Sequence, residues 1–380
     1  MTKTTVRDWL KKPIVGILLA IAIGFAVGAI VLLIAGYNPG EAYGALFRGV
    51  FSKPKYFAQV TIKSTPIILT GISFVVAFKS GLFNIGSEGQ YITGALVAAI
   101  VGSQINLPPV IHFIVVILAA MVAAGLVGAL VGFLKSRFHV HEVISCVMIN
   151  WIMLYLSNYM ITLPWFKKAG TEASVEALES SWSVVANNWK TSEEGLQQLA
   201  GSDSPWAEAL LKTDLNYGIL IAVIVAIGIY LLYKNTVKGY ELRAVGINPH
   251  AAKLAGISVD KSIVTSMAIS AAIAGLAGAL TITGVMPHRV TQLSMHEGYG
   301  FAGISVALIG GGSPIGSIFS GIFYSMLTYG SASIQSETGA AGEIMDIVIG
   351  VIIYLIAISS LIIMLLNRKS AKAGKAAKNG

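Results

Sequence analysis

Charged residues are scarce in this sequence. They make up only 12% of its 380 residues, while 55% are hydrophobic; a soluble globular domain carries about 25% charge. That shortage excludes an ordinary water-soluble globule. The apolar runs are continuous rather than alternating, and several approach the ~20 residues that cross a hydrocarbon core. Within such a core every backbone amide must pair inside the protein, and continuous runs do this as helices, not as a barrel.

Cysteine is almost absent. Cys146 stands alone, which excludes an intrachain disulfide and a thiolate metal cluster; in its apolar surroundings it reads as a small, inert hydrophobe. Phosphate-loop, HExxH and GxSxG patterns are missing too, so no catalytic apparatus is recognisable, and neither a metal nor a cofactor is expected. The stretch after Lys3, Arg7, Lys11 and Lys12 is too long for the ~7–15-residue core of a signal peptide and reads as a first span.

What is present is a series of apolar segments at 13–36, 62–78, 90–102, 110–134, 143–163, 216–233, 262–285, 299–312, 314–331 and 343–366. They predict an all-α polytopic membrane protein of about ten transmembrane helices, the third and eighth short or interrupted, with spans 2–5 and 7–10 as an inverted repeat. Positive charge concentrates in 1–12, 135–142, 234–261 and the basic tail 367–380. Ten crossings put all four on one side, the cytoplasm, with both termini inside. Residues 37–64 resist this placement, since they would lie outside yet carry Arg48, Lys53, Lys55 and Lys63 against Glu41 alone. The domain reading is a cytoplasmic N-terminus (1–12), one transmembrane domain (13–366) and the cytoplasmic tail. Segment 164–215 holds four lysines, eight acids and four of the six tryptophans; it is expected outside, as short interfacial helices starting at places such as Ser204-Pro205.

Two stretches break the apolar pattern. GLFNIGSEGQY (81–91) puts Asn84, Ser87, Glu88 and Gln90, with three glycines, between apolar runs. Irregular backbone at membrane depth is tolerated where it lines a wet cavity or is buried in protein, and an ionisable residue there is a functional candidate. Phe83, Asn84, Ser87, Glu88, Gln90 and Tyr91 therefore form a candidate substrate pathway, with Lys79 a possible partner of Glu88. The alternative is that these groups bond one another and seal a helix break. GYGFAGISVALIGGGSPIG (298–316) is a second such place, although small residues also serve close helix packing; Gly128, Gly132, Gly312 and Gly316 fit that use. Farther out, His288, Arg289, His296 and Glu297 read as a solvated rim, and His139 and His141 lack the further ligands a metal site needs.

The other stretch, 234–262, contains Asn248-Pro249 as cap and first helical residue, HAAKLA as helix and Gly256 as its stop. So short a helix is unstable alone in water, and its small residues Ala251, Ala252 and Ala255 suit docking into a partner's groove. The same residues also suit a plain connecting loop whose charges set orientation.

GYELRAVGINPHAAKLAGI resembles the coupling-helix region of ATP-binding-cassette importer permeases of the branched-chain amino acid and simple-sugar permease family. AFKSGLFNIGSEGQYITGALVA resembles the hallmark segment of its nucleoside subgroup, and ISVALIGGGSPIGSIFSG matches a third family segment. The resemblance covers 13–366, although the 164–215 loop is longer than usual for the family. It implies the permease subunit of a bacterial plasma-membrane importer for nucleosides or related compounds, not an enzyme. The implied partners are a cytoplasmic ATP-binding-cassette ATPase, a second permease in a heterodimer and an extracytoplasmic substrate-binding lipoprotein. Gly239, Glu241, Arg243, Gly246, Asn248, Ala252 and Gly256 would then couple the ATPase to the membrane. A simple sugar or branched-chain amino acid as cargo, a carrier working without ATP, and a membrane-embedded enzyme are the alternatives.

Overall fold

The computed structural model describes residues 13–355 and 358; the termini 1–12 and 367–380 and the end of the expected last span lie outside them. The described residues form helices and three isolated β-bridges, with no strand. Helices α1 (Pro13–Ile34), α2 (Pro39–Phe51), α3 (Pro54–Lys79), α4 (Ser87–Gln104), α5 (Pro109–Phe138) and α6 (Glu142–Thr162) precede a long connection. That connection carries α7 (Asn187–Lys190), α8 (Glu193–Ala200) and α9 (Pro205–Lys212). Then follow α10 (Gly218–Asn235), α11 (Val237–Ile247), α12 (Pro249–Leu254), α13 (Val259–Gly284), α14 (Tyr299–Ile309), α15 (Pro314–Thr338) and α16 (342–355).

Five described helices are long and apolar enough to cross a bilayer, namely α3, α5, α6, α10 and α13. The α14–α15 pair, bent by 118° at its break, makes a sixth if counted as one span. Helix α4 is not among them, because Ser87, Glu88 and Gln90 occupy its first turn.

The chain divides into two compact units, Lys53–Ser325 and a smaller one joining the segments on either side of it. At the centre of the larger unit α3 is buried along nearly its whole length, beside α13 and α14, and α4 packs on α13. Small residues allow this approach: a Cβ on Gly94 would overlap the backbone of Gly275, and one on Gly128 would overlap Ala271. Helices α5, α6 and α10 wall this core and turn apolar side chains outward, as with Leu118, Val122, Leu126 and Leu130, four residues apart on α5. Such a continuous apolar face needs a non-aqueous surround.

Helix α3 has two distinct ends. Near its start, Lys55 Nζ donates to Glu208 Oε1 of α9 at 2.8 Å; at its finish, Lys79 lies against Gly246 of α11. The 163–217 connection thus sits at one end of the core and the α11–α12 elbow at the other. The Lys55–Glu208 pair also gives an acid partner to a base that resisted the charge pattern.

The connection folds down onto the core. Ser174 N donates to Val290 O at 2.9 Å, Ala177 N to His288 O at 2.9 Å and Ser183 N to Thr283 O at 2.8 Å. This corrects the expected solvated rim at His288, which is only 3% exposed and stacks on Trp182 with ring centroids 3.9 Å apart, whereas Glu297 is exposed. Arg289 Nη1 donates to Glu176 Oε1 at 3.2 Å. The residues look peripheral in sequence but are roofed by a segment about a hundred positions earlier.

In the smaller unit, α2 was not anticipated. Asn38 caps it by accepting from Gly40 N at 2.9 Å, and Pro39 occupies the first turn. Tyr43 Oη donates to Phe25 O at 2.7 Å, and Arg48 pairs with Glu337 at 2.6 Å.

Candidate functional site

The polar run 81–91 is the turn from α3 into α4. Asn84, Ser87, Glu88 and Gln90 are all fully buried, and each has partners within the protein. Asn84 Nδ2 donates to Gln90 Oε1 at 2.9 Å and to Ser270 Oγ at 2.8 Å, while its Oδ1 accepts from Gly86 N at 3.0 Å. Ser87 and Ser270 both reach Ser73 on α3. From α6, Asn150 Oδ1 accepts from Gly89 N and its Nδ2 donates to Ile85 O. The cluster ties the turn to α3, α6 and α13.

Glu88 is held by backbone, not by Lys79. Its Oε1 accepts from Gly298 N at 2.8 Å and its Oε2 from Gly300 N at 2.6 Å. A carboxylate at the start of α14 satisfies amides that lack helical partners and complements the helix dipole. Lys79 instead lies 6.0 Å from the Tyr233 ring. Phe83 is 38% exposed and packs edge-on to Phe74, so it stands apart from the buried cluster.

Tyr91 leads from the cluster to a hollow of about 230 Å³ between α4, α6, the end of α13 and the 285–299 segment. Ser157, Thr281, Arg289, Glu297 and Tyr299 also line it. Tyr91 backs Tyr299, their ring centroids 5.1 Å apart.

At the other end, α12 forms as the local sequence dictates. Asn248 Oδ1 accepts from His250 N and Ala251 N, Pro249 fills the first position, and Gly256 takes φ +82°. That φ favours glycine. Helix α11, by contrast, was expected as loop. Gly239 seats it against α10, where a Cβ would overlap Leu232 O, and Gly246 seats it against Lys79 and Gly81. Glu241 accepts from Lys238 Nζ at 3.0 Å. Between α11 and α12 an open groove of about 480 Å³ is lined by Arg243, Asn248 and Ala252, among others. The most exposed apolar side chains here are Ile247 and Leu254, at 86% and 92%, whereas Ala252 is buried. The elbow therefore offers bulky apolar tips, not only the small residues seen in sequence.

Comparison with known proteins decides the family. Residues 56–357 match the family described as the permease component of the branched-chain amino acid transport system. The chain belongs to this permease family. Among its relatives is the guanosine ABC transporter permease protein NupP of Bacillus subtilis (strain 168), 36% identical over 93% of this chain and 96% of that protein. The nucleoside ABC transporter permease protein NupB of Lactococcus lactis subsp. cremoris is 33% identical over 95% of each chain. A second Bacillus subtilis protein, the guanosine ABC transporter permease protein NupQ, is 28% identical over 69% of this chain and 77% of its own. No solved structure matches.

As a permease component the chain is a transport subunit rather than an enzyme. Ser157, Thr281 and Tyr299 stand in apolar or glycine-rich stretches where nothing in the sequence marks them, and Arg289 and Glu297 read there as rim. The one signal for the hollow was Glu297 standing immediately before the glycine-rich start of a short apolar segment.

Proposed function

We propose that this permease is the membrane-spanning subunit of an ATP-binding-cassette importer whose cargo is a nucleoside. The observation that carries the cargo is similarity over nearly the whole chain to permeases named for guanosine and nucleosides. The elbow supports the motor: α12 is capped at its start, α11 is seated from behind through Gly246, and the two present Leu254 and Ile247 to a partner. Arg243 at the groove adds a charge that an ATPase surface can pair.

On this reading about ten helices cross the membrane over 13–366, with spans 2–5 and 7–10 as inverted repeats and both termini in the cytoplasm. The distribution of Lys and Arg supports that orientation. It places the α11–α12 elbow inside, against the ATPase, and the 163–217 connection outside, where a substrate-binding lipoprotein docks. A second, different permease completes the pathway; two guanosine permeases in one organism, both similar to this chain, support a heterodimer. The buried cluster Asn84, Ser87, Glu88 and Gln90 braces the pathway, while Phe83 and Tyr91 border it. Gly239, Glu241, Arg243, Gly246, Asn248, Ala252 and Gly256 shape or contact the coupling surface.

The test is uptake of labelled guanosine by cells carrying or lacking the gene, with ATP present or depleted. Uptake should require both the gene and ATP. Uptake that survives ATP depletion contradicts the motor, and uptake of glucose or leucine but no nucleoside contradicts the cargo.

A further inference from the structure

The hollow beside Tyr91 has a composition that its structural neighbours do not explain. Glu297 is an exposed carboxylate that lines it. Arg289, on the same wall, spends its Nη1 on Glu176, but its Nε is buried with no hydrogen-bond partner. Ser157 and Thr281 add hydroxyls, and Tyr299 a partly exposed ring. The loop carrying Glu297 and Tyr299 is fixed from below by Glu88, through Gly298 N and Gly300 N. The hollow is therefore held in shape.

Its volume of about 230 Å³ lies below the ~300–1,000 Å³ of sites for drug-sized ligands, which limits the occupant to a small solute. Arg289 pairs with Glu176, which also accepts from Lys168, so with Glu297 these groups sum to no net charge, which suits a neutral solute. Two carboxylate oxygens accept best from two adjacent donors.

We propose that this hollow is a recognition site for a neutral solute with two adjacent hydrogen-bond donors, accepted by Glu297. The proposal rests on the nucleoside-importer reading and says which part of such a cargo is read. In a nucleoside the paired donors are either the vicinal ribose hydroxyls or the neighbouring N–H groups of a guanine edge.

The experiment uses the whole transporter, reconstituted with its ATPase, partner permease and substrate-binding lipoprotein, and compares guanosine, inosine and 2′-deoxyguanosine with the native chain and with Glu297→Gln. Inosine lacks the base amino group, and the deoxy compound lacks one ribose hydroxyl. Losing one hydrogen bond to a charged group costs about tenfold or more, so the native transporter should favour guanosine over one analogue by about that factor. Glu297→Gln should erase that preference. Which analogue regains parity tells base edge from ribose. Unchanged preferences in the variant, or no native preference at all, overturn the proposal.

If the variant carries nothing, Met286→Cys, at the exposed edge of the hollow, supplies a readout that needs no transport. Guanosine should slow its maleimide labelling in the native background and not with Glu297→Gln; equal protection in both, or in neither, overturns the proposal. A native transporter that imports no nucleoside overturns the cargo reading separately.

Discussion

Gly246 rests directly on the Lys79 carbonyl. A Cβ at 246 would overlap that oxygen and come within 2.9 Å of the Gly81 amide nitrogen. The elbow is therefore in backbone contact with the end of α3, where the polar turn into α4 begins. That turn ends at Glu88, whose carboxylate holds the start of α14. The elbow, the end of α3, the polar turn and the loop beside the hollow thus form one contiguous series of contacts.

This contact predicts the effect of filling the seat. Gly246→Ala should cut guanosine uptake by about tenfold or more while leaving assembly with the ATPase intact, because overpacking a tight contact forces backbone shifts. Gly228→Ala, where nothing lies within 4 Å, is the control and should be neutral or slightly stabilising. Arg243→Glu, on the open groove, should weaken the ATPase contact instead, seen as loss of co-purification. Normal uptake in both elbow variants contradicts the coupling role.

Glu88 should matter first for stability. Glu88→Ala leaves the Gly298 and Gly300 amides without their acceptor, at about 1–3 kcal/mol for each buried group. Glu88→Gln keeps one acceptor but turns an NH₂ donor toward the other amide, so an intermediate loss is expected. Thermal unfolding in detergent measures both. An Ala variant as stable as the native chain contradicts the clamp.

The roof over the 285–299 segment should loosen in acid. Burial against Trp182 holds the His288 pKa below its usual 6.5, with Asp214 and Glu176 raising it by smaller effects and Lys190 lowering it. The unfolded segment then binds a proton before the folded one, so the stability present above pH 6.5 is lost as pH falls below that value. Fluorescence of Trp182 should change between roughly pH 7.5 and 5. His288→Phe should flatten the response and Trp182→Phe remove it; a pH response unchanged by His288→Phe contradicts the assignment.

The tether between α3 and α9 titrates differently. Hydrogen bonds from Lys55 and Lys212 hold the Glu208 carboxylate down to about 2. Its contribution is present above the usual carboxylate value of 4.5 and is lost as pH falls through about 2. The pair is exposed enough for salt to screen it. Lys55→Met and Glu208→Gln should lower the melting temperature at low salt, and the difference should vanish in high salt and near pH 2. A difference that persists there comes from packing instead.

Where the sequence spoke clearly, the controlling chemistry was local. Asn248-Pro249 and Gly256 predict α12 because capping and left-handed backbone depend on immediate neighbours. Helix α11 was hidden, since Lys238, Gly239, Glu241 and Arg243 interrupt its apolar pattern, and the contacts that stabilise it come from α10 and Lys79. The polar run 81–91 announced itself as unusual, but its partners Ser73, Asn150, Ser270 and Gly298 are scattered over some two hundred positions. No spacing rule brings those together. His288 and Glu297 looked alike in sequence; only the folded roof separates a buried ring from a carboxylate facing a hollow.

The central claim is that a motor grips the elbow, and Leu254, 92% exposed at its tip, tests it most directly. Leu254→Cys in the assembled transporter should cross-link to the ATPase subunit, with a yield that changes between nucleotide-free and ATP-bound states. No cross-link in either state, or labelling of that cysteine by an impermeant reagent added outside intact cells, would contradict the account.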